Sequence, residues 1–547
     1  MHRVLTIPEL LDIIFCSTDE LANARSVSVC KTWSGVALDT LWRDVHGLPR
    51  LFSLLAPVRR SSFYGFQRSI EPSDWTRFNA VAHRVKYLTV EDLNGDVFCE
   101  EDLGEVSTTR QTFHILPHLI QLTLNTRNED EFWFSVIFLH QNLQRLVLKI
   151  PDKVVPKRFF AEVSLRSAKL CYLDLRMTIP VRTVEAELTD MLSTLTDLKT
   201  VVMPRYTISS SVMSSLSRLP NLGTIQFEYF SYQGSGDPAD VQPFCPVMRE
   251  GAFPSLWDLS CYSTLCDMSS FFMAKYAPVN ITSLYVHTLS IETPLSFSEC
   301  LTALSQTCQM LKYLGLYLIL DGSAQIQVED SYNLSFKDLC PILDFPHLTT
   351  FDLTHYRPLD ITDDDMDRLA RNWPSLESLK LNAEPVILDN PKITFASLSS
   401  LAQHCPNLTR LGLYLNPSPH DLPKPGMPFK MLKSLEFGTS PIQSEDHAAL
   451  YLSEICPLSC TVEVGVTWTD ELKSGIIDNE DVADGEMRRR WECWEQVRDI
   501  LPLLIKLRRE ERERSQDLER EVHDLRMRVQ ILEDFRALPG SPGCIYG

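Results

Sequence analysis

Trp373-Pro374-Ser375-Leu376-Glu377-Ser378-Leu379-Lys380-Leu381 reads as a turn running into a short strand. Leu379 and Leu381 alternate with polar neighbours, so both point to one side of that strand. Leu376 reaches the same side from the turn. Pro374 ends any helix before it and biases Trp373 away from helical backbone. The same word returns as C-P-N-L-T-R-L-G-L at residues 405–413 and as L-P-N-L-G-T-I-Q-F at residues 219–227.

Outward from these copies, the order apolar, two of any kind, apolar, any, apolar starts thirteen times. Its first residues are Val85, Leu119, Leu143, Leu170, Leu198, Leu222, Leu256, Ile281, Leu311, Leu348, Leu376, Leu408 and Leu432, at steps of 24 to 37 residues. Proline stands two residues ahead at Pro117, Pro220, Pro254, Pro346, Pro374 and Pro406. Helical segments precede many units, for example 364–372 with Met366, Leu369 and Ala370, and 396–404 with Leu398, Leu401 and Ala402. One strand and one helix cannot hide their apolar faces alone, whereas stacked copies can. The expected fold is therefore α/β: a solenoid over 85–468 with parallel strands inside and helices outside. A doubly wound sheet is the main rival, and recurring proline before the strand speaks against it. The pattern resembles the leucine-rich repeat family in its longer helical subtype, with the family's consensus asparagine mostly missing. Segments 91–111, 232–250 and 416–428 interrupt the array and read as surface loops.

The first 46 residues read as three helices. Pro8 suits a first helical position, and Leu10, Leu11, Ile13, Ile14 and Phe15 follow it. Asp19 can cap a second helix. Val29, Trp33, Val36, Ala37, Leu41 and Val45 recur at helical spacing over 28–45. The strings L-T-I-P-E-L-L-D-I-I, D-E-L-A-N-A-R-S-V-S-V-C-K-T-W and L-W-R-D-V together resemble the F-box. Ile7 and Ser17 stand where that family more often has leucine. The resemblance implies docking to a Skp-type adaptor and, through it, to a cullin scaffold. It implies that Pro8, Leu10, Leu11, Ile13 and Val29 lie at or near that interface, while Trp33, Leu41 and Trp42 close the module's core. Residues 47–84 read as a helical connector or N-terminal cap.

Strand alternation names the residues expected on the open, concave side. They are Tyr172, Asp174 and Arg176; Ser283, Tyr285 and His287; Tyr313, Gly315 and Tyr317; Ser378, Lys380 and Asn382; Arg410, Gly412 and Tyr414. Tyrosine and arginine dominate binding hot spots, so Tyr172, Arg176, Tyr285, Tyr313, Tyr317, Lys380, Arg410 and Tyr414 are the candidate target-binding residues.

Residues 469–486 form an acidic linker, 487–538 a long helical segment and 539–547 a loose tail. Pro502 should kink or divide that helix. Leu518, Val522, Leu525, Val529 and Leu532 step 4-3-4-3, a heptad seam. It would either pack back on the solenoid or support self-association through 518–532.

The 547 residues carry a net charge of −20. That disfavours a general nucleic-acid binder or a surface for anionic lipid. No apolar run reaches membrane-spanning length. Fifteen cysteines include no C-x-x-C pair, which suggests reduced thiols, mostly core residues, in the cytoplasm or nucleus. His114 and His118, four apart, read better as a helix start than as metal ligands, and the acids Asp363, Asp364, Asp365 and Asp367 as helix capping. No phosphate loop, nucleophile elbow or zinc motif occurs. The expectation is a non-catalytic adaptor without cofactor or metal: the F-box-like module docks a ubiquitin-ligase scaffold and the repeats hold an unknown target protein. A protein-interaction scaffold outside any ligase is the alternative.

Overall fold

The computed structural model describes residues 7–61, 63–91, 97–227, 233–320, 329–417, 426–468, 472 and 482–537. The chain falls into two compact units, one of Met1–Tyr313 with Asp344–Pro346 and one of Leu314–Leu343 with His347–Gly547.

All thirteen expected first positions are at most 2% exposed, and a strand begins two residues after each. In the first unit these strands are Tyr87–Glu91, Gln121–Asn125, Arg145–Lys149, Tyr172–Arg176, Thr200–Met203, Thr224–Phe227, Asp258–Tyr262 and Ser283–His287. Tyr313–Tyr317 opens the second unit, apart from Tyr313 itself. Thr350–Thr354, Ser378–Leu381, Arg410–Leu413 and Ser434–Glu436 follow it. Within each unit the strands pair in parallel with their sequence neighbours. Leu146 lies level with Leu122 and Leu173, and Leu379 with Phe351 and Leu411. Helices such as Lys157–Arg166, Pro294–Thr307 and Asp363–Asn372 fill the connections. This is the leucine-rich repeat arrangement.

The turn explains the prolines. The Leu376 N–H donates to the Trp373 carbonyl at 3.1 Å, that of Leu408 to Cys405 at 3.2 Å and that of Leu119 to Leu116 at 3.3 Å. Pro374, Pro406 and Pro117 therefore take the second place of a four-residue turn, where their fixed φ fits. The residue after each leucine extends the ladder: Glu377 N–H donates to the Thr349 carbonyl at 2.7 Å, and Thr409 N–H to that of Glu377 at 2.8 Å.

Among the described residues, two further strands pair with these thirteen. Asp44–His46 pairs in parallel with Tyr87–Glu91, so the sheet starts before Val85. It follows the third N-terminal helix directly, which is why Val45 reads as helical in the sequence. Thr461–Glu463 pairs with Ser434–Glu436. Its Leu458 comes one residue early for the pattern, and buried Cys460 and Val462 supply the inward residues instead.

The three N-terminal helices are α1 Pro8–Cys16, α2 Glu20–Ser26 and α3 Lys31–Arg43. Asp19 caps α2 by accepting from Ala22 N–H. α3 starts at Lys31 rather than 28 because Cys30 is extended, with φ −161°. The connector is only partly helical. Between helices Leu48–Phe52 and Pro72–Ala82 it holds an antiparallel hairpin, Val58–Arg60 with Tyr64–Phe66. Phe52 meets Phe98 at 5.3 Å and Phe134 at 5.7 Å, so the connector seals the start of the repeats. The 91–111 segment is not all loop, since Glu100–Thr109 is a helix that buries Leu103 and Val106.

At the C-terminus one helix runs from Val482 to Ala537. It begins before 487, inside the expected linker, and Pro502 does not divide it. The rest of that linker, apart from Leu472, and the tail 539–547 lie outside the described residues. Met487, Trp494, Val497, Leu501 and Ile505 form its buried stripe, which packs along helix Glu445–Ile455. Trp494 stacks on Phe437 at 4.3 Å and donates to the Ser440 carbonyl at 3.0 Å. Among the described residues, no helix is long and apolar enough to cross a membrane.

Candidate functional site

The N-terminal module divides its apolar residues between two stripes of α1. Leu11 and Phe15 face inward onto Ala37, with Val27, Trp33 and Val36 packed around them. Phe15 meets Trp33 edge-to-face at 5.6 Å. Asn23, itself buried, donates to the Phe15 carbonyl at 2.9 Å and so ties α2 to the end of α1. Arg43 pairs with Asp12 and ties α3 to α1.

The second stripe faces out. Leu10, Ile13 and Ile14 are 36%, 63% and 37% exposed, at the i, i+3, i+4 spacing of one helix face. Pro8 is exposed beside them. Leu21 on α2 and Val29 in the turn before α3 are 61% and 54% exposed. Leu11 is thereby removed from the expected interface: it is fully buried, because α3 brings Ala37 against it. The expected core also changes. Trp33, Leu41 and Trp42 are all half-buried, and of the three Trp33 packs against the Leu11, Phe15 and Ala37 cluster. The Arg50 guanidinium lies 5.6 Å from the Trp42 ring centre, and Arg50 donates to the Leu41 carbonyl at 2.8 Å.

On the strand face of the first unit, Tyr172 is half-buried under the Arg145 guanidinium, 3.9 Å from its ring centre. Arg176 pairs with Asp174 at 2.7 Å. Asp174, expected to be open, is buried. Gln233 reaches over from an insert and donates to it at 2.9 Å. Tyr285 is half-buried against Phe227, while His287 is buried and stacks on Tyr262 at 4.4 Å. Tyr313 is half-buried as well.

In the second unit the candidates separate further. Arg410 is exposed. Tyr317 and Tyr414 are 7% and 4% exposed and cannot present their rings to a target. Asn382 is buried and donates to the Arg357 carbonyl at 2.7 Å. Lys380 lies between Glu384 at 2.6 Å and Glu436 at 3.2 Å, and donates to the Thr467 hydroxyl at 3.2 Å. Burial works against its charge, but the two carboxylates outweigh that and hold its pKa above the ordinary value. Gly412 permits this, since a Cβ there would stand 3.1 Å from the Lys380 side chain. Trp468 donates to the Glu384 carbonyl at 2.9 Å, so residues 467–468 strap down this part of the face. Lys380 is a structural ion pair rather than an open contact.

Alternation along a strand does not register what covers a residue. The residues that do the covering, Gln233, Thr467, Trp468 and Arg490, lie 59 to 87 positions away along the chain. Of the candidates, Tyr172, Arg176, Tyr285 and Tyr313 in the first unit are half-buried, and Arg410 in the second is exposed.

Elsewhere, His118 turns to the His83 carbonyl at 3.0 Å and His114 packs against His140 with rings 5.7 Å apart. Burial, with His114 and His118 nearby, lowers the His140 pKa to about 4. Among the described residues no three His, Cys, Asp or Glu side chains gather as metal ligands. Asp365 closes a capping box with Thr362, and Asp363 accepts from Thr394 N–H at 2.9 Å. Six of the fourteen described cysteines are buried, fewer than expected.

No family model and no curated protein matches the chain. Similar solved structures include the leucine-rich repeat-containing protein LegL7 from Legionella pneumophila, at 12% identity over 53% of this chain and 88% of that one, TM-score 0.31. The Rad7 and Elc1 complex in yeast matches at 16% identity over 75% and 89%, TM-score 0.38. The LRIM1/APL1C complex matches at 11% over 87% and 79%, TM-score 0.25. The repeat fold itself rests on this chain's own turns, buried leucines and parallel strands.

Proposed function

We propose that the chain is a substrate-recognition adaptor of a Skp-cullin-F-box type ubiquitin ligase. The observation that carries the reading is the outward stripe of α1. A module this small would hide Leu10, Ile13 and Ile14 if it could, and instead leaves them in water, as it does Leu21 and Val29. Exposed apolar residues grouped on one element mark a docking surface. They fall within the segment whose residue order resembles the F-box.

The repeats then hold the target, through the aromatic and basic residues left open on the strand face. The protein supplies effective concentration, keeping a target lysine near the ubiquitin-charged enzyme, and no bond chemistry of its own. The test is capture of a purified Skp-type adaptor by the full chain at physiological salt. Capture that Leu10→Asp with Ile13→Asp abolishes supports the reading. Absence of capture by the unaltered chain leaves a protein-interaction scaffold outside the ligase.

A further inference from the structure

From Arg509 to Asp534 every residue of the C-terminal helix is exposed. Among the described residues, the last contacts with the repeats are those of Arg508, which pairs with Glu454 at 2.7 Å, and Arg512, which reaches the Glu454 carbonyl at 3.5 Å. Beyond them Leu518, Val522, Leu525, Val529 and Leu532 are 46 to 65% exposed. A helix meant for water alone would not place five branched apolar residues in one seam.

The chemistry of the seam selects its occupant. With Leu518, Leu525 and Leu532 at d, Val522 and Val529 fall at a. β-Branched a with leucine d favours two parallel strands. The flanking charges agree independently. The g positions are Arg514, Glu521 and Arg528, and the e positions Glu519, Arg526 and Glu533. In a parallel, in-register pair each g faces the e of the next heptad on the other helix. Arg514 then meets Glu519 of the partner subunit, Glu521 meets Arg526 of the partner subunit, and Arg528 meets Glu533 of the partner subunit. All three are opposite-charge pairs, and symmetry repeats them on the other flank. Arg528, which holds Asp524 at 2.9 Å within its own helix, exchanges that exposed pair for the new one.

We propose that residues 514–533 form a parallel, in-register two-stranded coiled coil with a second copy of this chain. So short a seam would be marginal in a free peptide, because helix nucleation is unfavourable. Here the helix is already nucleated by its base, where Trp494 and Leu501 are buried.

Sedimentation equilibrium of the full chain, over a concentration series to about 100 µM, tests this. The mass should move from 62.5 kDa towards twice that. Leu525→Asp should hold it at the monomer. Glu521→Arg alone and Arg526→Glu alone should each weaken dimerisation, and an equal mixture of the two should restore it. That restoration requires residue 521 to face residue 526 of the partner subunit, which an antiparallel pair does not provide. The altered side chains are exposed, and an unchanged far-UV spectrum and melting curve confirm folding. A monomer throughout the series, a dimer indifferent to Leu525→Asp, or a mixture that fails to recover overturns the proposal.

Discussion

The Arg490 guanidinium donates to the Tyr414 hydroxyl at 3.1 Å and to the Thr439 carbonyl at 2.8 Å. Tyr414 in turn donates to the Asp389 carbonyl at 2.8 Å. Tyr414, one residue past strand Arg410–Leu413 and marked as open by alternation, is therefore the anchor of the C-terminal helix. Removing the guanidinium leaves a buried carbonyl short of a donor, at a cost of about 1–3 kcal/mol. Truncating buried Trp494 costs about 3–5 kcal/mol. Arg490→Ala and, more strongly, Trp494→Ala should speed amide exchange across 487–505 and leave exchange in the first unit unchanged.

The two stripes of α1 call for opposite outcomes from adjacent leucines. Leu11→Ala removes a fully buried side chain and should destabilise the module by about 2–5 kcal/mol. Leu10→Asp with Ile13→Asp should leave its melting within about 0.5 kcal/mol, because both side chains already meet water. Thermal melts of the variants check the contrast.

Lys380 offers a comparison of buried and exposed charge. Lys380→Met strands Glu384, which is 1% exposed, without its cation and should cost about 3–5 kcal/mol. Lys392 pairs with Asp360 on the surface, and Lys392→Met should cost no more than about 1 kcal/mol. Urea titration that follows the second unit reads both, and equal effects would contradict the assigned role of Lys380.

Acid sensitivity has a named source. Burial lowers the His355 pKa from 6.5 to about 4, despite its hydrogen bond with the Arg357 backbone, and the Arg357 charge adds to the lowering. The folded state keeps this ring neutral, whereas the unfolded chain takes up a proton near pH 6.5. Its stabilising contribution is thus complete above that pH and is lost as pH falls towards 4, to a limit of about 3 kcal/mol. Denaturant midpoints of the second unit should drop between pH 7 and pH 5, and His355→Asn should flatten that slope.

How far the sequence could be read follows from the range of the forces involved. Leu376 and its twelve counterparts were legible because turn, strand and core residue lie within nine positions of each other. Leu10 and Leu11 were not separable, since five of six residues from Leu10 to Phe15 are apolar and only the approach of Ala37 sets the helix phase. Alternation predicts Tyr317, Tyr414 and Lys380 as open, whereas the two tyrosines are buried and Lys380 is held between Glu384 and Glu436. For Tyr414 and Lys380 the covers, Arg490 and Thr467, come from distant segments that local alternation cannot register. Pro502 failed to divide its helix because the packed stripe from Met487 to Ile505 outweighs one missing hydrogen bond.

The adaptor reading stands on the outward stripe of α1, and binding of the full chain to a purified Skp-type adaptor, measured by titration calorimetry at physiological salt, tests it most directly. The account predicts a saturable one-to-one complex that Leu10→Asp with Ile13→Asp weakens more than about tenfold, by burying charge in an apolar contact. No heat of binding from the unaltered chain, or equal affinity from the double variant, would contradict it.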